Sequence, residues 1–164
     1  MYDICVIGGG IGGYTSSING AKLGGKVILI EEKQLGGTCL NSGCIPNKNF
    51  HHLAHFLEKA QKINGNGITF EKIAFNWHDA RNKKNKIVEK LTEGIRLLLK
   101  GNKVELVHGN AKIISQNKIL IKTNGGESKE IECKNIIVAT GSKPILPAQL
   151  SYDGKYIISP EELL

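Results

Sequence analysis

The chain has 164 residues, which is enough for one domain with a buried core. Its share of charged residues, 23%, is ordinary for a globular protein, and no apolar run approaches the length of about 18 residues that a membrane span needs. The formal charge of +7 suggests nucleic acid as a partner, but the lysines are spread along the whole chain and only 5% of residues are aromatic. We therefore expect no nucleic-acid or membrane partner.

The N-terminus and the cysteine content indicate a compartment. Met1 leads directly into an apolar strand pattern, so we expect no signal peptide. Four cysteines without a secretory signal indicate a reducing cytoplasm, where a close pair is more often catalytic than structural. We expect a cytoplasmic protein in which Cys5 and Cys133 are structural residues.

A glycine-rich turn follows the first predicted strand. The strand covers residues 2–7, and Gly8, Gly10 and Gly13 then form a G-x-G-x-x-G pattern that opens a helix reaching about residue 23. In such a pattern the first glycine permits a tight turn and the second lets a pyrophosphate approach the backbone. The third permits close packing of helix on strand, and the phosphates meet the positive end of the helix.

An acidic residue completes the pattern. The second predicted strand covers residues 26–31 and ends at Glu31, which lies 18 residues past Gly13. An acidic side chain is expected at about this spacing, where it holds the ribose hydroxyls of a dinucleotide. The glycines alone leave NAD and FAD undecided, but strand, helix, strand and acid in this order predict a dinucleotide site, to which we also assign Gly12.

A pair of cysteines lies in residues 36–48, which read GGTCLNSGCIPNK. Five residues of regular helix rise about 7.5 Å, beyond the Cα separation that a disulfide tolerates, so a bridge from Cys39 to Cys44 needs a distorted turn. Gly43 supplies the backbone freedom for it. Pro46 suits a first helical turn, which would place Cys44 at a helix N-terminus that stabilises a thiolate. The stretch indicates a redox-active dithiol.

Two other interpretations of this cysteine pair stay open. Together with His51 and His55 the cysteines could be a C-x4-C-x6-H-x3-H zinc site, although the spacing is shorter than in a zinc finger and no second ribbon follows. They could also be two unrelated thiols in a loop. Of these interpretations we favour the dithiol, and we expect no metal.

Two helices and several short strands are predicted downstream. The helix that follows the cysteines runs to about residue 62, a turn covers residues 64–67, and a second helix runs from Trp77, with Asn76 as its N-cap, to Gly101. This second helix carries an apolar stripe, which we assign to the core: Ile87, Leu91, Ile95 and Leu98. We assign the basic run at residues 81–90 to the solvated face of the same helix. Strands are predicted at residues 104–107, 111–114, 118–123, 129–133 and 135–139, with a hairpin turn at residues 124–126.

The cysteine stretch resembles the redox-disulfide motif of the flavin-dependent disulfide reductases. Leu40 and Ile45 resemble the dihydrolipoamide dehydrogenase version of the motif, whereas Asn47 departs from the small hydroxyl residue common there. The order of elements also resembles the flavin domain of that family, from its βαβ start to a strand that ends in Ala-Thr-Gly. The resemblance implies an α/β fold: a Rossmann-like FAD-binding domain with a parallel sheet, helices and a three-stranded antiparallel β-meander.

The resemblance also implies roles for individual residues. Cys39 would be the exchange thiol and Cys44 the thiol beside the flavin, the two forming a disulfide when oxidised. Lys48 would lie near the reactive edge of the flavin and Ala111 at its adenine end. The residues implied in FAD binding are Gly8, Gly10, Gly12, Gly13, Glu31, Gly36, Gly37, Thr38, Lys48, Ala111, Thr140, Gly141 and Ser142.

The implied activity is the oxidation of dihydrolipoyl groups through the disulfide and FAD to NAD⁺. The implied partners are the dihydrolipoyl domain of a 2-oxoacid dehydrogenase or glycine cleavage complex, and a second copy in a homodimer. Two alternatives stay open: a sister reductase resembling glutathione or mercuric reductase, and a non-catalytic dinucleotide-binding module whose cysteines are structural.

The family's chains are much longer than this one. They carry a second G-x-G-x-x-G domain for NAD, a Gly-Asp motif that completes the FAD site, and a C-terminal interface domain with a His-Glu pair. We therefore expect residues 1–150 to be the first part of a FAD-binding domain, with residues 151–164 starting the connection to an NAD-binding domain outside this sequence. We expect the chain by itself to be inactive and to bind FAD weakly.

Overall fold

This computed structural model describes residues 1–147 and 149–164, which contain five strands and five helices. In chain order they are β1 (Tyr2–Ile7), α1 (Ile11–Lys22), β2 (Val27–Glu31), α2 (Gly37–Ser42), α3 (Cys44–Ile63), α4 (Trp77–Gly101), β3 (Glu105–Ser115), β4 (Lys118–Thr123), β5 (Ser128–Val138) and α5 (Pro160–Leu163). The helices α1, α3 and α4 and the strands β1, β2 and β4 fall where the sequence predicted them, whereas α2 was not predicted.

The strands form two sheets that share β3 and β5. The parallel sheet has the order β3-β2-β1-β5, with Ile4 of β1 opposite Val27 of β2 and Asn135 of β5. The outer halves of β3 and β5 then pair antiparallel with β4, which closes the five strands into a ring. The α/β fold with a parallel sheet and a three-stranded meander is therefore confirmed.

The prediction of separate short strands was wrong for β3 and β5. The two segments predicted at residues 104–107 and 111–114 are one strand, and so are those at 129–133 and 135–139. In β3 the partner changes between His108, which is opposite Glu31, and Gly109, which is opposite Thr123. A side chain on Gly109 would overlap the backbone of Lys122. Residues 108–110, which lie between the two predicted strands, therefore mark the passage of one strand between two sheets.

The core has two layers, one on each face of the parallel sheet. The layer between the sheet and the meander is made of Cys5, Ile7, Ile28, Ile30, Ile119, Ile121, Ile131 and Cys133. The layer between the sheet and the helices includes Val6, Val27, Leu29, Leu35, Leu40, Ile95 and Leu99. Because β2 is covered on both faces, it reads as a continuous apolar run rather than an alternating one. The structural role predicted for Cys5 and Cys133 is confirmed by their burial.

The predicted buried face of α4 was partly wrong. Asn76 caps the helix as expected, since its side chain accepts hydrogen bonds from the amides of His78 and Asp79. However, Leu91 and Leu98 are 42% and 55% exposed. The residues that α4 buries are Ala80, Lys84, Ile95 and Leu99, so Lys84 is also an exception to the solvated basic face. A helix with apolar residues on several faces leaves the choice of face to its neighbours, here α1, α2, α3 and β3.

The second turn of α3 contacts the start of α4. The ring of Phe50 stacks on that of Trp77, with centroids 4.8 Å apart. None of the helices in the described part of the chain has the length and apolar character needed to cross a membrane.

The assignment of the α4 face predicts different costs for two neighbouring leucines. Leu99 is 1% exposed, so Leu99→Ala should lower the free energy of unfolding by about 2–5 kcal/mol, because it removes packed atoms and leaves a cavity. Leu98→Ala is the matched control and should change it by less than about 0.5 kcal/mol. Denaturant unfolding measures both; equal losses would show that the face is assigned wrongly.

Candidate functional site

A cleft of about 910 Å³ opens at the end of the parallel sheet where β1, β2 and β5 finish. Its volume lies within the range of about 300–1,000 Å³ common for small-molecule sites. Ligands of open α/β sheets bind at this edge, outside the carboxyl ends of the strands. Most of the residues predicted to bind the cofactor line the cleft: Gly8, Gly10, Gly12, Glu31, Gly36, Gly37, Thr38, Thr140, Gly141 and Ser142, together with Cys39.

The glycine turn between β1 and α1 is packed so closely that side chains are excluded at two positions. Gly8 has a φ of +102°, and a Cβ there would overlap the carbonyl of Ala139. A Cβ on Gly13 would overlap the carbonyl of Gly8, so the helix lies directly on the turn. Gly10 is different: a Cβ there would meet only the Cα of Gly37, at an ordinary 3.6 Å. The protein itself therefore tolerates a methyl group at Gly10, and only a ligand would be displaced by it.

Glu31 braces the glycine turn. Its Oε2 accepts a hydrogen bond from the amide of Gly9, and its Oε1 accepts one from the amide of Lys33 at 2.7 Å. A carboxylate has about four acceptor positions, so lone pairs remain for the hydroxyls of a ribose. Glu31 thus links the end of β2 to the turn, a role that the sequence had not indicated.

The first turn of α1 faces the cleft. The helix begins at Ile11, directly after Gly10, and carries no acidic side chain in its first turn. Ile11 and Gly12 line the cleft, where the first amides of the helix have no partners within the helix itself. A cradle of backbone amides at a positive helix end, free of bulky side chains, fits a diphosphate.

A second glycine turn, at Gly36 and Gly37, leans against the first. The amide of Gly36 donates to the carbonyl of Gly9 at 2.9 Å. Both glycines have positive φ, and a Cβ on Gly37 would lie 2.8 Å from the Cα of Gly10. This contact fixes the start of α2, and with it Cys39, against the dinucleotide cradle.

Cys39 and Cys44 form a disulfide, with their Cα atoms 4.7 Å apart. The helix is interrupted between them: α2 ends at Ser42, Gly43 takes an irregular conformation, and α3 begins at Cys44. A Cβ on Gly43 would lie 2.9 Å from the carbonyl oxygen of Thr38, so the interruption requires glycine. The distorted turn and the position of Cys44 at a helix N-terminus are confirmed.

The remaining predicted residues lie outside the cleft lining. Cys44 and Lys48 are exposed on α3, one turn apart on the same face, whereas Cys39 is half-buried and lines the cleft. Ala111 lies on β3 opposite Ile121 and packs on the core layer under the meander. The cofactor roles of Lys48 and Ala111 stay predictions.

The cysteine–histidine grouping does not assemble as metal ligands. Two of its four members, Cys39 and Cys44, are bonded to each other, and the rings of His51 and His55 stack at 5.8 Å. Within residues 1–147 and 149–164 no group of three or more His, Cys, Asp or Glu side chains is arranged to hold a metal ion.

Sequence reasoning missed several residues that line the cleft: Lys33, Asn41, Asn124, Ala139 and Lys143. Asn41 lies inside the cysteine stretch, and a search for polar side chains there would have found it. Asn124 had no such signal, because it belongs to the hairpin turn and reaches the cleft only when the meander folds over the sheet.

Comparison with known proteins gives one consistent result. The pyridine nucleotide-disulphide oxidoreductase family profile matches residues 2–161. The chain is 35% identical to the dihydrolipoyl dehydrogenase of Bacillus subtilis (strain 168), over 98% of this chain and 35% of that protein. Its identity to the dihydrolipoyl dehydrogenase of Geobacillus stearothermophilus is 42%, over 87% of this chain and 30% of that protein. For that of Acholeplasma laidlawii it is 36%, over 99% and 48%. The chain thus spans between 30% and 48% of the length of these three relatives.

The four cysteines should separate into two pairs on thiol labelling. Burial raises the pKa of Cys5 to about 12, so at pH 8 its thiol is protonated as well as covered and should react slowly in the native protein. In denaturant without reductant, Cys5 and Cys133 should label fully while Cys39 and Cys44 stay blocked. Mass spectrometry of peptides reads this out; labelling of Cys39 and Cys44 in oxidised, unfolded protein would contradict the pairing.

Proposed function

The chain belongs to the pyridine nucleotide-disulphide oxidoreductase family, and we propose that it is the FAD-binding, disulfide-carrying part of a dihydrolipoyl dehydrogenase. One observation carries the proposal: Cys39 of the disulfide lines the same cleft as the dinucleotide turn at Gly10 and Gly12. A disulfide placed in a dinucleotide cleft can exchange electrons with the cofactor held there.

FAD is the cofactor that we assign to the cleft. The amides at the start of α1 and the bare backbone of Gly10 and Gly37 would hold its diphosphate, and Glu31 its ribose. Thr38 and residues 140–142 would line the rest of the molecule, with Ala111 at the adenine end and Lys48 at the reactive edge. When bound, FAD supplies a two-electron acceptor beside the disulfide.

The residues of this chain carry out the thiol exchange. A dihydrolipoyl thiolate attacks Sγ of Cys39, the Cys39–Cys44 bond breaks, and Cys44 leaves as a thiolate. The second dihydrolipoyl thiol then attacks the mixed disulfide, which releases a lipoyl disulfide and frees Cys39. The two electrons of the substrate dithiol are now on the protein thiols.

The helix explains this order of attack. A thiol leaves faster when its thiolate is more stable, and Cys44 is the first residue of the 20-residue helix α3, whose positive end faces it. Exposure alone would favour attack at Cys44, which is the more open of the two. The proposal therefore rests on leaving-group chemistry rather than on access in this chain.

The proposal extends to the complete protein. Residues 1–150 form the first part of a FAD-binding domain, and residues 151–164 begin the connection to a domain that binds NAD⁺, the final acceptor. The substrate is the dihydrolipoyl domain of a 2-oxoacid dehydrogenase or glycine cleavage complex, and the complete protein is a cytoplasmic homodimer. The chain by itself should not reduce NAD⁺.

The assignment of FAD predicts a binding defect at Gly10 in a protein that still folds. In the complete protein, Gly10→Ala should weaken FAD binding by about tenfold or more, because its methyl group enters the diphosphate cradle, and a tenfold loss is about 1.4 kcal/mol. Gly10 is the N-cap of α1, so the free energy of unfolding without FAD should fall by about 1 kcal/mol, the cost of alanine at that position.

Gly94→Ala is the matched control, since Gly94 lies on α4 outside the cleft lining and a Cβ there meets nothing within 4 Å. Flavin fluorescence titration measures the affinity. An unchanged affinity of Gly10→Ala for FAD would show that the diphosphate of FAD does not bind at Gly10, and the alternative of a dinucleotide-binding module without this flavin site would then be favoured.

The order of attack predicts different reactivities for the two thiols. The midpoint of the pH dependence of iodoacetamide labelling should lie about 0.7 pH units lower for Cys44 in the Cys39→Ser variant than for Cys39 in Cys44→Ser, which corresponds to about 1 kcal/mol of thiolate stabilisation by the helix. The greater exposure of Cys44 changes its labelling rate but not this midpoint, and the difference should vanish in denaturant, where no helix remains. Equal native midpoints would remove the leaving-group argument.

A further inference from the structure

Asn41 joins the two parts of the site. It lies on α2, two residues after Cys39, and it lines the cleft. Its Nδ2 donates two hydrogen bonds, to the carbonyls of Leu35 and Gly37, each at 3.0 Å. Both neighbours are acceptors only, so the orientation of the amide follows from its partners. The side chain thus ties the turn before α2 to the helix that carries Cys39.

The oxygen of the Asn41 side chain makes no hydrogen bond within the described part of the chain, although its nitrogen makes two. The Oδ1 of Asn41 is buried and has no hydrogen-bond partner among the described residues. Buried acceptors without partners are rare in folded proteins and call for an explanation. The side chain of Asn41 therefore keeps both hydrogen bonds that its Nδ2 donates, even though its Oδ1 then has no partner within residues 1–147 and 149–164.

The helix itself needs such a tie. α2 has only six residues, too few to be stable alone, and ends at the irregular Gly43. Its start is held by the hydrogen bond from Gly36 to Gly9 of the dinucleotide turn. A continuous series of hydrogen bonds therefore runs from Glu31 through Gly9 and Gly36 to the turn that Asn41 grips.

We propose that Asn41 is a positioning residue whose two donated hydrogen bonds hold Cys39 in place for disulfide formation with Cys44, in register with the dinucleotide turn. The inference rests on the proposed function of the disulfide. By holding Cys39 beside Cys44, the two hydrogen bonds from Asn41 raise the effective concentration of one thiol at the other. Without these hydrogen bonds the Cys39–Cys44 disulfide is easier to reduce.

The test is the thiol–disulfide equilibrium of the chain in dithiothreitol redox buffers. Reduced dithiothreitol gives two electrons and two protons to the Cys39–Cys44 disulfide and closes to its own ring; alkylation and mass spectrometry then measure the reduced fraction. Asn41→Ala should lower the equilibrium constant for disulfide formation about tenfold, which is about 30 mV. Asn41→Asp, which keeps the shape but not the donors, should lose at least as much.

Asn117 provides a matched control. Its Nδ2 also donates to two backbone carbonyls, those of Cys133 and Lys134, at 3.0 and 3.2 Å. It precedes β4, at the opposite end of that strand from Asn124, which lines the cleft. Asn117→Ala should lower the free energy of unfolding but leave the disulfide equilibrium within about twofold of the parent, because a merely structural clamp does not act on the cysteines.

The outcomes separate this inference from the function on which it rests. A parent chain in which Cys39 and Cys44 form no disulfide would overturn both. A normal parent equilibrium, with folded Asn41→Ala and Asn41→Asp variants within twofold of it, would overturn the role of Asn41 alone. Slow native labelling of Cys5 identifies the folded variants, and Asn41→Asp serves if Asn41→Ala does not fold.

Discussion

The backbone contact between the two glycine turns is the constraint on which the rest of the site depends. The amide of Gly36 donates to the carbonyl of Gly9, and Gly37 lies so close to Gly10 that a Cβ on Gly37 would come within 2.8 Å of the Gly10 Cα. The first turn opens α1 and the second opens α2. Because the two turns touch, the first amides of α1 and the Cys39–Cys44 disulfide share one base, although Gly9 and Cys39 are 30 positions apart in sequence.

The disulfide depends on an interruption of the helix between its two cysteines. A continuous helix would carry Cys39 and Cys44 too far apart, and the observed Cα separation of 4.7 Å is reached because the helix stops at Ser42 and restarts at Cys44. The restart also places Cys44 at the positive end of a long helix. One glycine, Gly43, thus sets both the geometry of the bridge and the asymmetry between its two sulfurs.

The sheet explains why these parts meet at one edge. The neighbouring strands β2, β1 and β5 run parallel, so their carboxyl ends lie together and the loops that follow them converge on the cleft. The meander closes the opposite face of the sheet and brings Asn124 to the same cleft. The helices cover one face of the parallel sheet and the meander covers the other, while the edge at the carboxyl ends of its strands stays open for a ligand.

Much of this arrangement could be predicted from the amino-acid sequence. The glycine spacing, the acid at Glu31 and the cysteine stretch are local patterns whose chemistry depends on neighbours within a few residues or on one strand and one helix. The N-cap at Asn76 and the strand–helix order follow from such local rules, whereas the disulfide was implied by the family resemblance, because the local pattern left a zinc site and two separate thiols open. The outcome of the local rules is decided by backbone freedom and short-range hydrogen bonds, which the sequence states directly.

Only the tertiary structure decided which faces are buried and which residues from distant segments meet. The apolar positions of α4 allowed more than one buried face, and packing selected Leu99 over Leu98. Two strands were predicted on either side of Gly109, yet one strand continues through it because a second sheet receives its outer half. Asn124 gained its place in the cleft from long-range closure. Such choices depend on which surfaces come together, and a single sequence read locally does not contain that information.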